Sequence, residues 1–424
     1  MKKYEIFNKF STIFLTIFFT FIFIFSYVIP CFANDCCYVW SPSVNHFDET
    51  KNTSADIKED NFLSLKSGSA ILIEQNSGKI LYAHNIHEQL RPASVTKVMS
   101  ILLIMEAIDN GTVNLTDKIP CSANAASMGG SQIWLDPRET LTVEDMLKAI
   151  CVNSANDCVV AMAEHIAGSE EAFVEQMNNK AKKLGMKDTC FKNCHGLDQD
   201  DHVTSAYDIS LMSKELLVNH PTITKYTTIW TDSLRNGNSQ LSNTNKLIKH
   251  YKGATGLKTG STSLALYNLS ASATRDNLSL IAVVMKAPST KLRFEEAKIL
   301  LDYGFNTFSY KTFFNKNDNL KQINVTKGNK KTVNIIFENS CGALIPKGKD
   351  SNITTKINLN DSIEAPIYKG QKIGEYNLFL DDNLISSVNL ISNETIERQN
   401  FFSICKNIFS TWFSLLRNLN FKGR

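Results

Sequence analysis

Arg91-Pro92-Ala93-Ser94-Val95-Thr96-Lys97 is the stretch on which the interpretation of this chain depends. Proline is tolerated in the first turn of a helix, where its missing N–H group is no loss. A helix that begins at about Ser94 places the Ser94 hydroxyl and the Lys97 amine one turn apart on the same face. Unpaired N–H groups and the positive dipole end of such a helix would stabilise an oxyanion. The stretch therefore predicts a nucleophilic serine with its own base.

A serine needs such a base because its hydroxyl is a weak nucleophile. A lysine that is buried, or that lies beside another cation, can lose its proton near neutral pH and accept the serine proton. The spacing alone is weak evidence, because Ser403-Ile404-Cys405-Lys406 has the same form. An exposed Ser and Lys on a helix surface is the ordinary alternative, so the assignment depends on companion motifs.

Two further short motifs follow the Ser94 stretch along the chain, and their order and spacing support a catalytic assignment. Ser154-Ala155-Asn156 comes 60 residues after Ser94, at a break between predicted helices, and Lys258-Thr259-Gly260 follows on a predicted strand. Each short motif recurs or nearly recurs elsewhere, at 43–45, 387–389 and 66–68. The joint order and spacing are what favour a catalytic centre.

The residue types of these motifs suit acyl transfer. Ser154 can relay a proton to a leaving group, and Asn156 can hydrogen-bond both Lys97 and a substrate amide. Lys258 adds a positive charge that favours neutral Lys97 and attracts a substrate carboxylate. We therefore assign catalytic roles to Ser94, Lys97, Ser154 and Asn156.

The strand motif supplies residues that bind substrate. Thr259 offers a hydroxyl to the carboxylate that Lys258 attracts, and Gly260 lets an extended substrate lie against the strand edge. The Ser261 N–H group can join that of Ser94 in a two-donor oxyanion hole.

Secondary-structure signals predict an α+β domain followed by a small all-β domain. The first part reads as a strand hairpin, a helical insertion, further strands and a closing helix, which predicts an antiparallel sheet with helices on its faces. The strands are predicted at 70–74, 79–83, 257–259, 267–273 and 278–284, and the helices at 94–109, 142–150, 157–167, 170–184, 205–219 and 289–304. Short strand runs from 310 to about 391 predict the β domain.

The sequence resembles the penicillin-binding serine D-alanyl-D-alanine carboxypeptidases of low molecular mass, from about residue 69 to residue 390 and in the tail. The motifs that carry the resemblance are Arg91-Pro92-Ala93-Ser94, Gly130-Ser131-Gln132, Ser154-Ala155-Asn156, Asn193-Cys194-His195-Gly196-Leu197-Asp198, Gly256-Leu257-Lys258-Thr259-Gly260, Ala273-Thr274-Arg275-Asp276, and Ala365-Pro366 with Lys369-Gly370-Gln371.

The resemblance implies a penicilloyl-serine transferase fold followed by a β-sandwich-like domain. It also implies hydrolysis of the terminal D-Ala-D-Ala bond of peptidoglycan stem peptides through an acyl-Ser94 intermediate, with covalent inhibition by β-lactams. Arg293 matches by position an arginine near the substrate carboxylate. The sequence departs from the family pattern at two positions, because Leu266 and Ala155 stand where the family commonly has glycine. These departures bear on the reaction rate and the range of substrates, and not on the type of reaction.

Several other functions are open. A DD-endopeptidase that acts on cross-links is not separated from a carboxypeptidase by sequence, and a non-catalytic wall-binding protein could keep the fold. A β-lactamase of related fold would need a second base, and no Glu-x-x-Leu-Asn signature lies between Asn156 and Lys258. The five intact residues of the motifs argue against a non-catalytic role.

Composition and charge argue against nucleic-acid-binding proteins. The chain has 424 residues with a formal net charge of +3, from 45 basic and 42 acidic side chains, so no nucleic-acid partner is expected. No cofactor or metal is expected either. The group His195, Asp198 and His202 could bind a metal, but side chain to backbone hydrogen bonds within a loop are the preferred interpretation.

The N-terminal residues predict export, and the C-terminal residues predict attachment to a membrane surface. Residues 1–33 read as a signal peptide, with an uncleaved anchor as the alternative, and 34–62 as a polar leader. A catalytic domain at 63–309, a β domain at 310–392, and a linker with an amphipathic helix at 393–424 follow. We expect this helix to bind the outer face of the cytoplasmic membrane, with packing on the protein's own core as the alternative.

Overall fold

The computed structural model describes residues 61–400 and 408–412. The predicted signal peptide, nearly all of the polar leader and most of the predicted tail helix lie outside these residues. Within the described ranges, no helix combines the length and the apolar character needed to cross a membrane.

A five-stranded antiparallel sheet forms the centre of the catalytic region. Its order is β2-β1-β9-β8-β7, which leaves β7 at one edge. The strands are β1 (Ser69–Glu74), β2 (Ile80–His84), β7 (Ala254–Thr262), β8 (Leu266–Arg275) and β9 (Leu278–Ala287). All of β1 is buried, as expected for an apolar strand covered on both faces. Asp276 and Asn277 both have positive φ, which forms the turn between β8 and β9.

Helices cover both faces of this sheet. The closing helix Thr290–Thr307 begins where the Ser289 side chain accepts a hydrogen bond from the Leu292 N–H group, and it packs Ala297, Leu300 and Leu301 on one face. The opposite face is covered by the helical insertion. The helices between β2 and β7 are Lys97–Asp109, Ala123–Ala126, Val143–Lys148, Asn156–Ala167, Glu170–Lys183, Ala206–Asn219, Thr224–Thr227 and Leu247–His250.

Capping residues fix where these helices begin and end. Thr142, Ser169 and Ser205 each accept a hydrogen bond from a backbone N–H group three residues on. Gly168, with φ of 85°, ends one helix in the left-handed region as predicted. Two small two-stranded sheets, not predicted, lie in the insertion: β3 (Lys118–Pro120) with β4 (Thr140–Thr142), and the hairpin of β5 (Thr231–Leu234) with β6 (Ser239–Ser242).

The C-terminal region is all-β, and its own apolar cluster includes Ile335, Phe337 and Leu390. Its strands form a two-stranded and a six-stranded sheet, with orders β10-β13 and β14-β16-β17-β12-β11-β15. They are β10 (Phe308–Phe314), β11 (Asn319–Thr326), β12 (Thr332–Phe337), β13 (Cys341–Pro346), β14 (Ile353–Leu359), β15 (Ser362–Glu364), β16 (Lys372–Leu380) and β17 (Asn383–Ser392). The predicted α+β class with a following all-β domain is confirmed.

Candidate active site

The Ser94 stretch begins as a tight 3-10 turn at Ala93–Thr96, and the α-helix begins at Lys97 rather than at Ser94 as predicted. Pro92 precedes this turn. Ser94 and Lys97 still meet, with 3.0 Å between Lys97 Nζ and Ser94 Oγ. The difference lies in the first turn, where the Lys97 N–H group bonds to the Ser94 carbonyl oxygen three residues back, as in a 3-10 helix.

Lys97 is fully buried, and its amine lies among oxygen acceptors. Besides Ser94 Oγ, the amine contacts the Asn156 side-chain oxygen at 2.6 Å and the His195 carbonyl oxygen at 2.7 Å. Both of these oxygens can only accept hydrogen bonds. A neutral amine has two N–H donors and one lone pair, so the two carbonyl-type oxygens take both donors. The lone pair is then left for the Ser94 hydroxyl.

Electrostatics favour this neutral form. Burial lowers the pKa of Lys97 well below its usual value of 10.5, and the charge of Lys258 lowers the pKa further. Burial also lowers the pKa of Lys258 itself, to about 7, and the charge of Arg293 acts in the same direction. A neutral Lys97 beside Ser94 has the protonation state that a general base requires.

Asn156 holds the loop that contains Gly129 and Ser131 next to the Ser94 and Lys97 side chains. It begins the helix Asn156–Ala167, and its Nδ2 donates to the Gly129 carbonyl oxygen at 2.6 Å, which leaves its Oδ1 facing Lys97. Its backbone N–H group donates to the Ser131 carbonyl oxygen at 2.7 Å. The loop of residues 129–135 therefore borders the site.

Ser154 lies where the chain changes direction. A π-helical turn at Ala149–Asn153 ends at Ser154, which is left-handed with φ of 64° and 3% exposed. Its hydroxyl has no hydrogen-bond partner among the described residues. An unpaired buried hydroxyl is unfavourable unless a ligand supplies the missing hydrogen bond. This agrees with the predicted role of Ser154 as a proton relay to the leaving group of a substrate.

The Lys258 motif lies on β7, the edge strand, as predicted. Lys258 is 1% exposed, and its amine donates to the Thr259 carbonyl oxygen at 3.0 Å. The Thr259 hydroxyl hydrogen-bonds the Thr244 hydroxyl at 2.7 Å. Sequence reasoning missed Thr244, which belongs to no recognisable motif.

Gly260 lies directly against the Ser94 turn. A Cβ atom at residue 260 would be 2.8 Å from the Pro92 carbonyl oxygen and 2.9 Å from the Ser94 nitrogen. Only glycine permits this approach. On the other side of the turn, a Cβ atom at Gly196 would be 2.0 Å from the Ala93 carbonyl oxygen. The nucleophile turn is thus held between two glycines, and Ser261 follows the contact as an exposed residue of β7.

Arg293 is buried in the closing helix, where its Nη1 donates to the carbonyl oxygens of Gly260 and Asn268, each at 3.1 Å. Burial lowers its pKa to about 10. The Nε atom has no partner among the described residues. These contacts brace the paired ends of β7 and β8, and a contact with a substrate carboxylate stays a prediction.

The His195, Asp198 and His202 side chains make separate hydrogen bonds. His195 Nδ1 accepts from the Leu197 N–H group, and His202 Nδ1 accepts from the Lys192 N–H group. Asp198 accepts from the Thr262 hydroxyl at 3.0 Å. The described residues contain no group of three or more His, Cys, Asp or Glu residues arranged for a metal.

These contacts define a class of site. A serine, a buried lysine with a lowered pKa and an edge strand against the nucleophile turn can together form and hydrolyse an acyl-serine.

Comparisons with known proteins agree with this class. A family model described as D-alanyl-D-alanine carboxypeptidase, peptidase S11, matches residues 52–289, and the C-terminal domain of penicillin-binding protein 5 matches residues 308–398. The D-alanyl-D-alanine carboxypeptidase DacF of Bacillus subtilis (strain 168) is 42% identical over 361 residues, 84% of this chain and 92% of that protein.

Two solved structures are similar as well. Penicillin binding protein 5 from Haemophilus influenzae has a TM-score of 0.69 at 32% identity, over 79% of this chain and 98% of that chain. Penicillin-Binding Protein D2 from Listeria monocytogenes in its ampicillin-bound form has a TM-score of 0.53 at 30% identity, over 57% of this chain and 99% of that chain. The chain therefore belongs to the D-alanyl-D-alanine carboxypeptidase family of serine hydrolases, and the predicted resemblance and enzyme class are confirmed.

Proposed function

We propose that this protein removes the terminal D-alanine from peptidoglycan stem pentapeptides, outside the cytoplasm, through an acyl-Ser94 intermediate. The observation that carries the proposal is the arrangement around Lys97, whose amine lies 3.0 Å from Ser94 Oγ and also contacts two carbonyl-type oxygens that can take the N–H donors of its neutral form. The names of the relatives support the choice of substrate.

Each residue has a role in this reaction. Lys97 accepts the Ser94 proton as Ser94 Oγ attacks the carbonyl carbon of the penultimate D-alanine. The N–H groups of Ser94 and Ser261 stabilise the oxyanion. The proton passes through Ser154 to the nitrogen of the departing D-alanine, and water then hydrolyses the ester by the reverse path.

Three residues of the site hold the substrate. Lys258 and Thr259 bind the terminal carboxylate, and Asn156 orients both Lys97 and the peptide. Arg293 adds positive charge behind β7 that favours the same carboxylate. A β-lactam enters as a cyclic amide in place of the D-Ala-D-Ala bond, which agrees with the ampicillin-bound form of the Listeria relative.

Mass spectrometry of the full-length protein after penicillin treatment tests the acyl-serine. We expect one adduct on Ser94, and none in Ser94→Ala or Lys97→Ala variants that keep a wild-type melting temperature. Release of D-alanine from a pentapeptide, compared with cleavage of a cross-linked dimer, then separates carboxypeptidase from endopeptidase activity. Normal acylation of Lys97→Ala would remove Lys97 as the base.

We also propose that residues 1–33 direct export and that residues 393–424 attach the protein to the outer face of the cytoplasmic membrane. In the tail segment 408–412, Ile408, Phe409 and Trp412 are all exposed, at 63%, 44% and 53%. Exposed apolar side chains next to basic residues suit an anionic bilayer. Deletion of 400–424 should abolish cosedimentation with anionic vesicles, and unchanged cosedimentation would reject this anchor.

A further inference from the structure

Trp134 is presented to solvent in an unfavourable backbone conformation. Its side chain is 77% exposed, and its φ of 61° lies in the left-handed region, which a bulky residue rarely adopts. Its neighbours Ile133 and Leu135 are buried at 3% and 5%. The conformation therefore turns one large aromatic ring outward between two anchored apolar side chains.

The surrounding structure enforces this conformation. The N–H groups of Ile133 and Leu135 both donate to one oxygen of the buried Asp157 carboxylate, each at 3.1 Å. Arg235 donates to the carbonyl oxygens of Ile133 and Trp134, at 2.8 and 3.2 Å. Local strain persists only where neighbouring contacts determine the backbone in this way, and it concentrates at functional sites.

The same loop borders the catalytic centre. Its residues Gly129 and Ser131 hydrogen-bond Asn156, which contacts Lys97. Trp134 is three residues beyond Ser131, so an extended chain separates their Cα atoms by at most about 10 Å. A stem peptide held at Ser94 continues for several residues beyond its two D-alanines, so the loop of residues 129–135 is a candidate surface for that part of the substrate.

A packing role does not explain the ring, because a structural tryptophan would be buried. An apolar protein partner does not explain the ring either, because the segment 136–139 that follows is rich in charged side chains. These charges are paired, with Asp136 bound to Arg138 at 2.9 Å and Glu139 to Arg235 at 2.6 Å. A flat aromatic face among polar groups suits a ligand of alternating apolar and polar character.

We propose that Trp134 is a specificity-determining contact for the peptidoglycan strand beyond the two terminal D-alanines. The inference rests on the proposed function. The indole face packs against the stem peptide and the sugar that carries it, while the catalytic residues act on the D-Ala-D-Ala bond alone. Trp134 thereby favours the natural polymer over short peptides that share its terminus.

Steady-state hydrolysis of two substrates tests this contact in the full-length protein. One is an N-acylated tripeptide that ends in D-Ala-D-Ala, and the other is a disaccharide pentapeptide with the same terminus. For Trp134→Ala we expect KM to rise about tenfold on the disaccharide pentapeptide with kcat unchanged, as for loss of an aromatic anchor. Hydrolysis of the tripeptide and the rate of acylation by penicillin should stay at wild-type values.

Two further variants separate binding from folding. Trp134→Gly removes the ring but accepts a positive φ, so it should match Trp134→Ala in kinetics while melting no lower than wild type. Tyr368→Ala removes an aromatic side chain that is 64% exposed in the C-terminal region. This variant should hydrolyse both substrates with wild-type kcat and KM.

The outcomes are distinguishable. Hydrolysis of neither substrate by the wild-type protein would overturn the proposed function and this inference with it. Equal losses on both substrates would make Trp134 part of the chemistry at the scissile bond, and no loss on either would leave it without a binding role. Both of those results would refute the contact while leaving the proposed function standing.

Discussion

Replacing Gly260 by alanine tests how closely β7 and the nucleophile turn must approach. The added Cβ atom would lie 2.8 Å from both the Pro92 carbonyl oxygen and the Val95 nitrogen, and 2.9 Å from the Ser94 nitrogen. All three are backbone atoms, so no side chain can rotate away to make room. Either β7 or the turn must move by about 0.6 Å to restore ordinary contact distances of about 3.4 Å.

Such a shift changes catalysis more than stability. Overpacking of this kind destabilises a protein by about 1–3 kcal/mol. The movement, however, separates the Ser94 and Ser261 N–H groups that are proposed to bind the oxyanion, and a displacement of this order or the loss of one donor lowers rates by about a hundredfold. We therefore expect Gly260→Ala to fold and to be acylated about a hundred times more slowly.

The assay is the second-order rate of acylation by a fluorescent penicillin, measured beside thermal unfolding. Gly370→Ala is the matched control, because Gly370 has a positive φ of 81° and open space around it in the C-terminal region. It should lose about 1–2 kcal/mol of stability through backbone strain, with a wild-type acylation rate. A Gly260→Ala protein that is acylated at the wild-type rate would refute the reasoning from close approach.

Three further variants are informative. Lys258→Met removes a charge that lowers the pKa of Lys97, so the ascending limb of acylation rate against pH should move about one unit higher; an unmoved limb would contradict the coupling. Burial lowers the pKa of His202 from 6.5 to about 4, so between these values the unfolded state binds more protons and stability decreases as the pH is lowered. His202→Gln should reduce that loss between pH 7 and 4.5 by about 2–3 kcal/mol in urea titrations, and an equal slope would argue against it. Leu266 has a φ of 57°, so Leu266→Gly should melt within about 2 °C of wild type whereas Leu269→Gly, at a fully buried position, melts far lower.

Local signals were sufficient for much of the fold. Ser289 and Thr142 predicted helix starts because an N-cap acts through its own next turn, and the strands at 267–273 and 278–284 were predicted from their own residues. The β5–β6 hairpin escaped prediction because its strands are short and polar, as in Thr231-Asp232-Ser233, with no alternation of apolar residues to reveal them.

The candidate site was predictable in its motifs and not in its contacts. Order and spacing placed Ser94, Lys97 and Asn156 together and Ser261 near Ser94, yet they did not show that Gly260, 166 residues from Ser94, touches the backbone of the Ser94 turn. Such contacts depend on how the sheet edge meets the helical insertion. The start of the α-helix at Lys97 was also missed, because the sequence does not distinguish a 3-10 first turn from an α-helical one.

The base proposed for this site is therefore a product of tertiary structure. In the unfolded chain Lys97 is an ordinary charged lysine, and burial is the largest cause of its lowered pKa in the folded protein. Its two carbonyl-type acceptors belong to Asn156 and His195, which are 59 and 98 residues away along the chain. Burial of a lysine is unfavourable for folding unless the amine is neutral and its donors are satisfied. The contacts that make this burial tolerable are the same ones that turn the lone pair toward Ser94, so folding and activation of the nucleophile depend on the same hydrogen bonds.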